Sequence, residues 1–113
     1  MEYNDAMILQ DMSLDGLERR ADETARLLGH LANKHRLMIL CRLALEGELT
    51  VNALCAATAL SQSAASQHLA RLREDALIGT RRDGTFMIYH IADPRALQVL
   101  RALQEIMCPR PSP

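Results

Sequence analysis

Tryptophan is absent from the 113-residue chain, phenylalanine occurs once and tyrosine twice. A core with so few rings must be filled by aliphatic side chains. Leu and Ala dominate the apolar 49%, a composition that favours helices. No apolar run approaches the ~20 residues that span a bilayer, so no membrane partner is expected. The opening stretch MEYNDAMILQDMS is acidic and lacks the basic start of a secretion signal. A cytoplasmic location is therefore expected, where three cysteines read as reduced thiols, metal ligands or redox sensors rather than a disulfide framework. Enzyme signatures are missing too: no Cys-x-x-Cys, no Gly-rich phosphate loop, no cysteine with an orienting base. No catalytic residue and no cofactor is expected.

A net charge of −1 argues at first against nucleic acid. The distribution reverses that. Residues 1–25 hold seven acids (Glu2, Asp5, Asp11, Asp15, Glu18, Asp22, Glu23) against Arg19 and Arg20, so 26–113 carries 11 basic and 7 acidic residues, a net of +4. A mildly basic body behind an acidic leader permits DNA binding.

The length suits one domain. Residues 1–12 read as a flexible acidic tail, 13–108 as the folded domain and 109–113 as a short C-terminal tail. Leu17, Ala21, Leu27, Leu28 and Leu31 are spaced for one amphipathic helix over 14–31. Asn33 suits the N-cap of a second helix, KHRLMILCRLALEG, with an apolar stripe at 37, 40, 41 and 44 and Gly47 as its stop. Thr50 caps a short third helix, VNALCAAT, and Ser61 a fourth, QSAASQHLARLREDA. Two β-prone runs flank Asp83-Gly84, a hairpin signal. Pro94 opens a last helix with Leu97, Leu100, Leu103 and Met107 on one side. The pattern predicts a mainly α fold with a small β-hairpin wing, a winged helix-turn-helix. The first and last helices carry apolar stripes beyond what so small a core consumes, which predicts a homodimer through them.

In LTVNALCAATALSQSAASQHLARLRE, residues Val51, Leu54, Leu60, Leu69 and Leu72 suit the inner packing of two short helices. The outer face of the second then shows Gln62, Ser63, Ser66, Gln67, His68 and Arg71. Gln pairs with adenine edges, Arg with guanine, and Ser with bases or phosphates. Small polar residues at a helix N-terminus let it enter the major groove. Arg81 and Arg82 of the hairpin are candidates for backbone phosphate.

The elements HRLMIL, LSQSAASQHLARLRE and RRDGTFMIYHI, within about 20–108, resemble the ArsR/SmtB family of dimeric winged-helix repressors. The resemblance implies that helix 62–75 reads a double-stranded operator with an inverted repeat, and that residues near 14–30 and 94–108 form the dimer. Members differ mainly in inducer. Many bind metals or arsenic through Cys-x-Cys at the start of the third helix, where this chain has Thr50 and Asn52. Another family site uses Asp-x-His on the last helix, where Asp93 is followed by Arg95 and no later histidine. No metal site is expected.

Cys55, on a stripe with Val51 and Leu54, reads as core packing. Cys41 admits the same reading alone. With Cys108, however, the contexts LMILC and IMCP resemble the dithiol of the sulfide- and persulfide-responsive SqrR/BigR group. That resemblance implies a sensing pair, Cys41 and Cys108, closed by reactive sulfur species as a disulfide or longer polysulfide that lowers operator affinity. A metal- or arsenic-responsive repressor and a general thiol redox regulator remain alternatives, as does an activator that displaces a nucleoid protein.

Overall fold

The computed structural model describes residues 14–111; the expected tail at 1–12 lies outside the described residues, as do 13, 112 and 113. Within them run α1 (Leu14–Arg19), α2 (Ala21–Leu31), α3 (Lys34–Glu46), β1 (Glu48–Thr50), α4 (Val51–Thr58), α5 (Gln62–Glu74), β2 (Ile78–Asp83), β3 (Phe86–Ile91) and α6 (Pro94–Met107). This is a winged helix-turn-helix: α4 and α5 make the helix-turn-helix, β2 and β3 the wing.

Local chemistry starts and stops most of these helices. The Asn33 side chain accepts from the amides of His35 and Arg36, both at 3.1 Å. Thr50 accepts from Ala53 at 3.2 Å and Ser61 from Ala64 at 3.1 Å, caps each worth about 1 kcal/mol. Pro94 occupies the first helical turn behind Asp93, which accepts from the Arg95 amide at 2.9 Å. Gly47 ends α3 at φ 86°, its amide on Leu43 O at 2.8 Å. The ends of α4 and α5 instead use Ala59 and Ala76, both at φ 58°. After α5 the Leu77 amide reaches back to Leu72 O at 3.0 Å, the six-residue closure that usually carries glycine where Ala76 stands.

Three expectations about the helices and strands need correction. The single helix predicted over 14–31 is broken at Arg20, whose φ of −109° and ψ of 14° leave the helical range. No large apolar residue falls between Leu17 and Leu27, and α1 has no buried residue, so nothing holds the two turns in one line. A third strand, β1, was not expected; it pairs antiparallel with β3, Leu49 opposite Tyr89, giving the order β1-β3-β2. Its three residues are too few for alternation to register. Finally, α3 buries Ile39, Leu40 and Leu43, while Leu37 and Cys41 sit half-buried and Ala44 is exposed. The larger side chains at 39 and 43 take the core face, which turns Cys41 to its edge.

The core gathers Ile39, Leu40, Leu43, Leu54, Leu69 and Leu72, none more than 1% exposed. Ala96 and Leu100 anchor the first half of α6 to it. The wing turn is Gly84-Thr85, closed by the pair Asp83 and Phe86, with Gly84 at φ 63°. Glycine at the first of two loop positions matches a II′ turn, one residue beyond the expected Asp-Gly. No helix among the described residues is long and apolar enough to cross a membrane.

Candidate nucleic-acid interface and thiol pair

The 3.6-residue period sorts α5 into two faces. Ala65, Leu69 and Leu72 are buried, and Val51 and Leu60 pack beside the core cluster. Gln62, Ser63, Ser66, Gln67 and Arg71 are all exposed on the other side. Among the described residues their side chains make no hydrogen bond or ion pair, so every donor and acceptor is available to an incoming ligand. Ser61 caps the helix beneath them, and the N-terminal partial charge of α5 favours a phosphate nearby.

His68 stands apart from that set. Expected on the outer face, it is half-buried, its ring 5.6 Å from that of His35 and tilted by 38°. Its Nδ1 is buried without a partner. Burial chiefly, then the charges of Arg36, His35 and Arg71, push its pKa below the usual histidine value. Position 68 lies beside Leu69 and one turn from Leu72, at the margin of the inner stripe, which explains the inward turn.

The two wing arginines are separated by strand alternation, which sends neighbours to opposite faces. Arg82 shares the face of Ile78 and Tyr89 that packs on the helices, and lies exposed beyond its edge. Arg81 lies on the other face and donates through Nε to Glu48 Oε2 at 2.5 Å. That bond to Glu48 raises its pKa further. Of the two, only Arg82 is without a partner among the described residues, and periodicity in the sequence could have separated them.

The thiols occupy contrasting settings. Cys41 is half-buried against the core, and burial pushes its pKa up. Cys108 is exposed at the end of α6, its amide on Gln104 O at 2.8 Å. Beside it Ile106 and Met107 are 71% and 74% exposed. Both thiols are free, as is the half-buried Cys55, and among the described residues no bond joins them. The fold thus assembles the α5 face but leaves the expected sensing pair open. Asp93 is held by Arg95, whose guanidinium donates at 2.8 and 3.1 Å and keeps the carboxyl below its ordinary range. Among the described residues no three His, Cys, Asp or Glu side chains cluster as metal ligands would.

Sequence reasoning missed one polar cluster altogether. His30, the one buried polar residue among those described, bonds Asp75 through Nε2 at 2.5 Å and Arg36 through Nδ1 at 2.8 Å. The His30–Asp75 contact spans 45 positions, and no local pattern announces it.

Comparison with known proteins fits this geometry. Residues 33–79 match the model of the bacterial regulatory protein, arsR family. The chain is 38% identical to the transcriptional activator HlyU of Vibrio cholerae, over 86% of this chain and 89% of that protein. It resembles the solved structure of the transcriptional repressor BigR from Xylella fastidiosa with a TM-score of 0.80 and 36% identity, over 88% of this chain and all of that one. A homodimeric winged helix-turn-helix DNA-binding domain from Mycobacterium bovis, described as a possible ArsR-family regulator, is similar at TM-score 0.72 and 33% identity, covering 86% and 88%.

Proposed function

The chain belongs to the arsR family and is a DNA-binding transcriptional regulator rather than an enzyme, and on that premise we propose that it is a homodimeric repressor whose operator affinity is lowered when reactive sulfur links Cys41 to Cys108. The observation that carries the DNA half is the exposed, unpartnered row Gln62, Ser63, Ser66 and Gln67 on a capped helix anchored from behind. Arg71 and Arg82 extend it toward phosphate. The dimer reading is supported by exposed Leu14, Leu17 and Leu28 on α1 and α2 and by Leu97, Ile106 and Met107 on α6. Two such protomers offer two reading helices to half-sites about one helical turn, ~34 Å, apart.

The thiols divide the chemistry by access. The Cys108 thiolate attacks the outer sulfur of a low-molecular-weight persulfide, RSSH, giving Cys108–S–SH and releasing RS⁻. Cys41, held protonated by burial, then gives up its proton and attacks the Cys108 sulfur, forming the disulfide and expelling HS⁻. If Cys41 is itself persulfidated, its outer sulfur makes the attack, and a trisulfide forms with the same leaving group. Linking the last turn of α6 to α3 ties a dimer helix to the core beneath the reading helix, so bridged and open dimers present α5 differently. Differential DNA affinity of the two states is what makes this a switch.

The test combines DNA binding with intact mass. Reduced protein is expected to bind an inverted repeat selected from randomised duplex DNA, and glutathione persulfide to release it while adding an intramolecular Cys41–Cys108 link. Release by stoichiometric Zn²⁺ or arsenite with Cys55 required, or equal binding by open and linked forms, contradicts the proposal.

A further inference from the structure

His30 lies on α2, Asp75 directly behind the C-terminus of α5, and Arg36 on the first turns of α3. A guanidinium only donates. His30 Nδ1, at 2.8 Å from Arg36 NH1, must therefore accept, so the ring proton sits on Nε2 and is donated to the Asp75 carboxylate. Both nitrogens are used and one tautomer is selected. The His30 side chain is 7% exposed, yet it borders an open cavity of about 190 Å³ that Glu23, Arg26, Asp93 and Arg95 also line. Two directional bonds, one on each ring nitrogen, fix the orientation of the ring at the wall of that cavity.

We propose that Asp75, His30 and Arg36 form a positioning clamp that sets the angle of the reading helix against the dimer helix, and with it the half-site spacing the protein accepts. The inference rests on the dimeric, DNA-reading function above. Leverage explains why so small a contact matters. The 13 residues of α5 span about 20 Å at the usual 1.5 Å rise. The clamp grips one end and the reading residues lie toward the other. A tilt of roughly 10° about the clamp displaces the reading end by ~3.4 Å, about one base-pair step. Nothing else buried and polar among the described residues joins α2 to the end of α5.

The experiment measures affinity of the full chain for the selected inverted repeat and for versions with the spacer one base pair longer or shorter. His30→Gln keeps an acceptor for Arg36 and a donor for Asp75, His30→Leu removes both at similar bulk, and Asp75→Ala removes one anchor at a partly exposed position. Wild type and His30→Gln are expected to prefer the native spacing by about tenfold. His30→Leu and Asp75→Ala are expected to lose most of that preference, chiefly through weaker binding at the native spacing. Melting and sedimentation confirm folded dimers, and Asp75→Ala carries the test should His30→Leu fail to fold. A folded variant with wild-type spacing preference overturns the clamp, as does His30→Gln behaving like His30→Leu. A wild type with no preference for any inverted repeat overturns the underlying function instead.

Discussion

The first two turns of α5 and the last turn of α6 both present an exposed face to solvent. Along α5 the exposed side chains are polar, short and held on a capped helix whose other face is nailed down by Ala65, Leu69 and Leu72. Along α6 the anchors stop at Leu100, and beyond it Ile106 and Met107 present apolar surface beside a free thiol. Water satisfies the α5 face as it stands, and in the proposed complex DNA only has to replace that water. The α6 end is apolar surface that water serves poorly, so covering it is favourable. A capped, anchored helix and an exposed apolar end, joined through one core, are the two parts the proposed switch uses.

The largest expected effect breaks the α6 side. A charge in the proposed dimer surface, Leu97→Asp, should leave monomers and weaken operator binding by roughly a hundredfold or more, about 3 kcal/mol, checked by sedimentation and fluorescence anisotropy. Next comes the thiol. Cys108→Ser and Cys41→Ser should bind DNA as the reduced wild type does but lose the response to persulfide, a coupling of roughly 1–3 kcal/mol. Cys55→Ser should keep it.

On the α5 side, Gln67→Ala should cost roughly 1–3 kcal/mol at the preferred operator if it reads a base pair, with little change on unrelated DNA. Arg82→Ala should lower the salt slope of binding by about one unit. Arg81→Ala should change that slope much less, because Glu48 already neutralises the guanidinium. Equal slopes for the two would contradict the wing geometry.

The smaller effects concern how firmly α5 is held. Ala76→Gly should raise stability by about 1 kcal/mol, since a left-handed residue costs a Cβ that much and glycine escapes it; a melt reports it. His68 has a lowered pKa when folded, so the unfolded chain binds its proton more readily. Stability should therefore fall as pH drops through the unfolded value of about 6.5, and His68→Gln should flatten that part of the profile.

What the sequence made legible was local. Asn33, Thr50 and Ser61 each bond an amide two or three residues on, so their identity and position alone announce a helix start. Pro94, Gly47 and the Gly84 turn act over similarly short distances. The row Gln62, Ser63, Ser66, Gln67 and Arg71 was legible for the same reason, because helical period converts spacing into a face. His68 and the stripe of α3 were misplaced by about one position, where period alone cannot choose between neighbouring faces and side-chain volume decides.

The remaining features belong to the tertiary structure. Glu48 meets Arg81 across 33 positions and His30 meets Asp75 across 45, contacts that exist because strand register and helix packing bring those atoms together. Amino-acid order by itself determined most of the helix starts, the wing hairpin and the polar face at Gln62, Ser63, Ser66, Gln67 and Arg71, since these follow from interactions within a turn or two. Which wing arginine is left without a partner among the described residues, which histidine turns inward, and how the end of α5 is tied to α2 were decided only when the core closed, because each depends on a direction in space that no local spacing encodes.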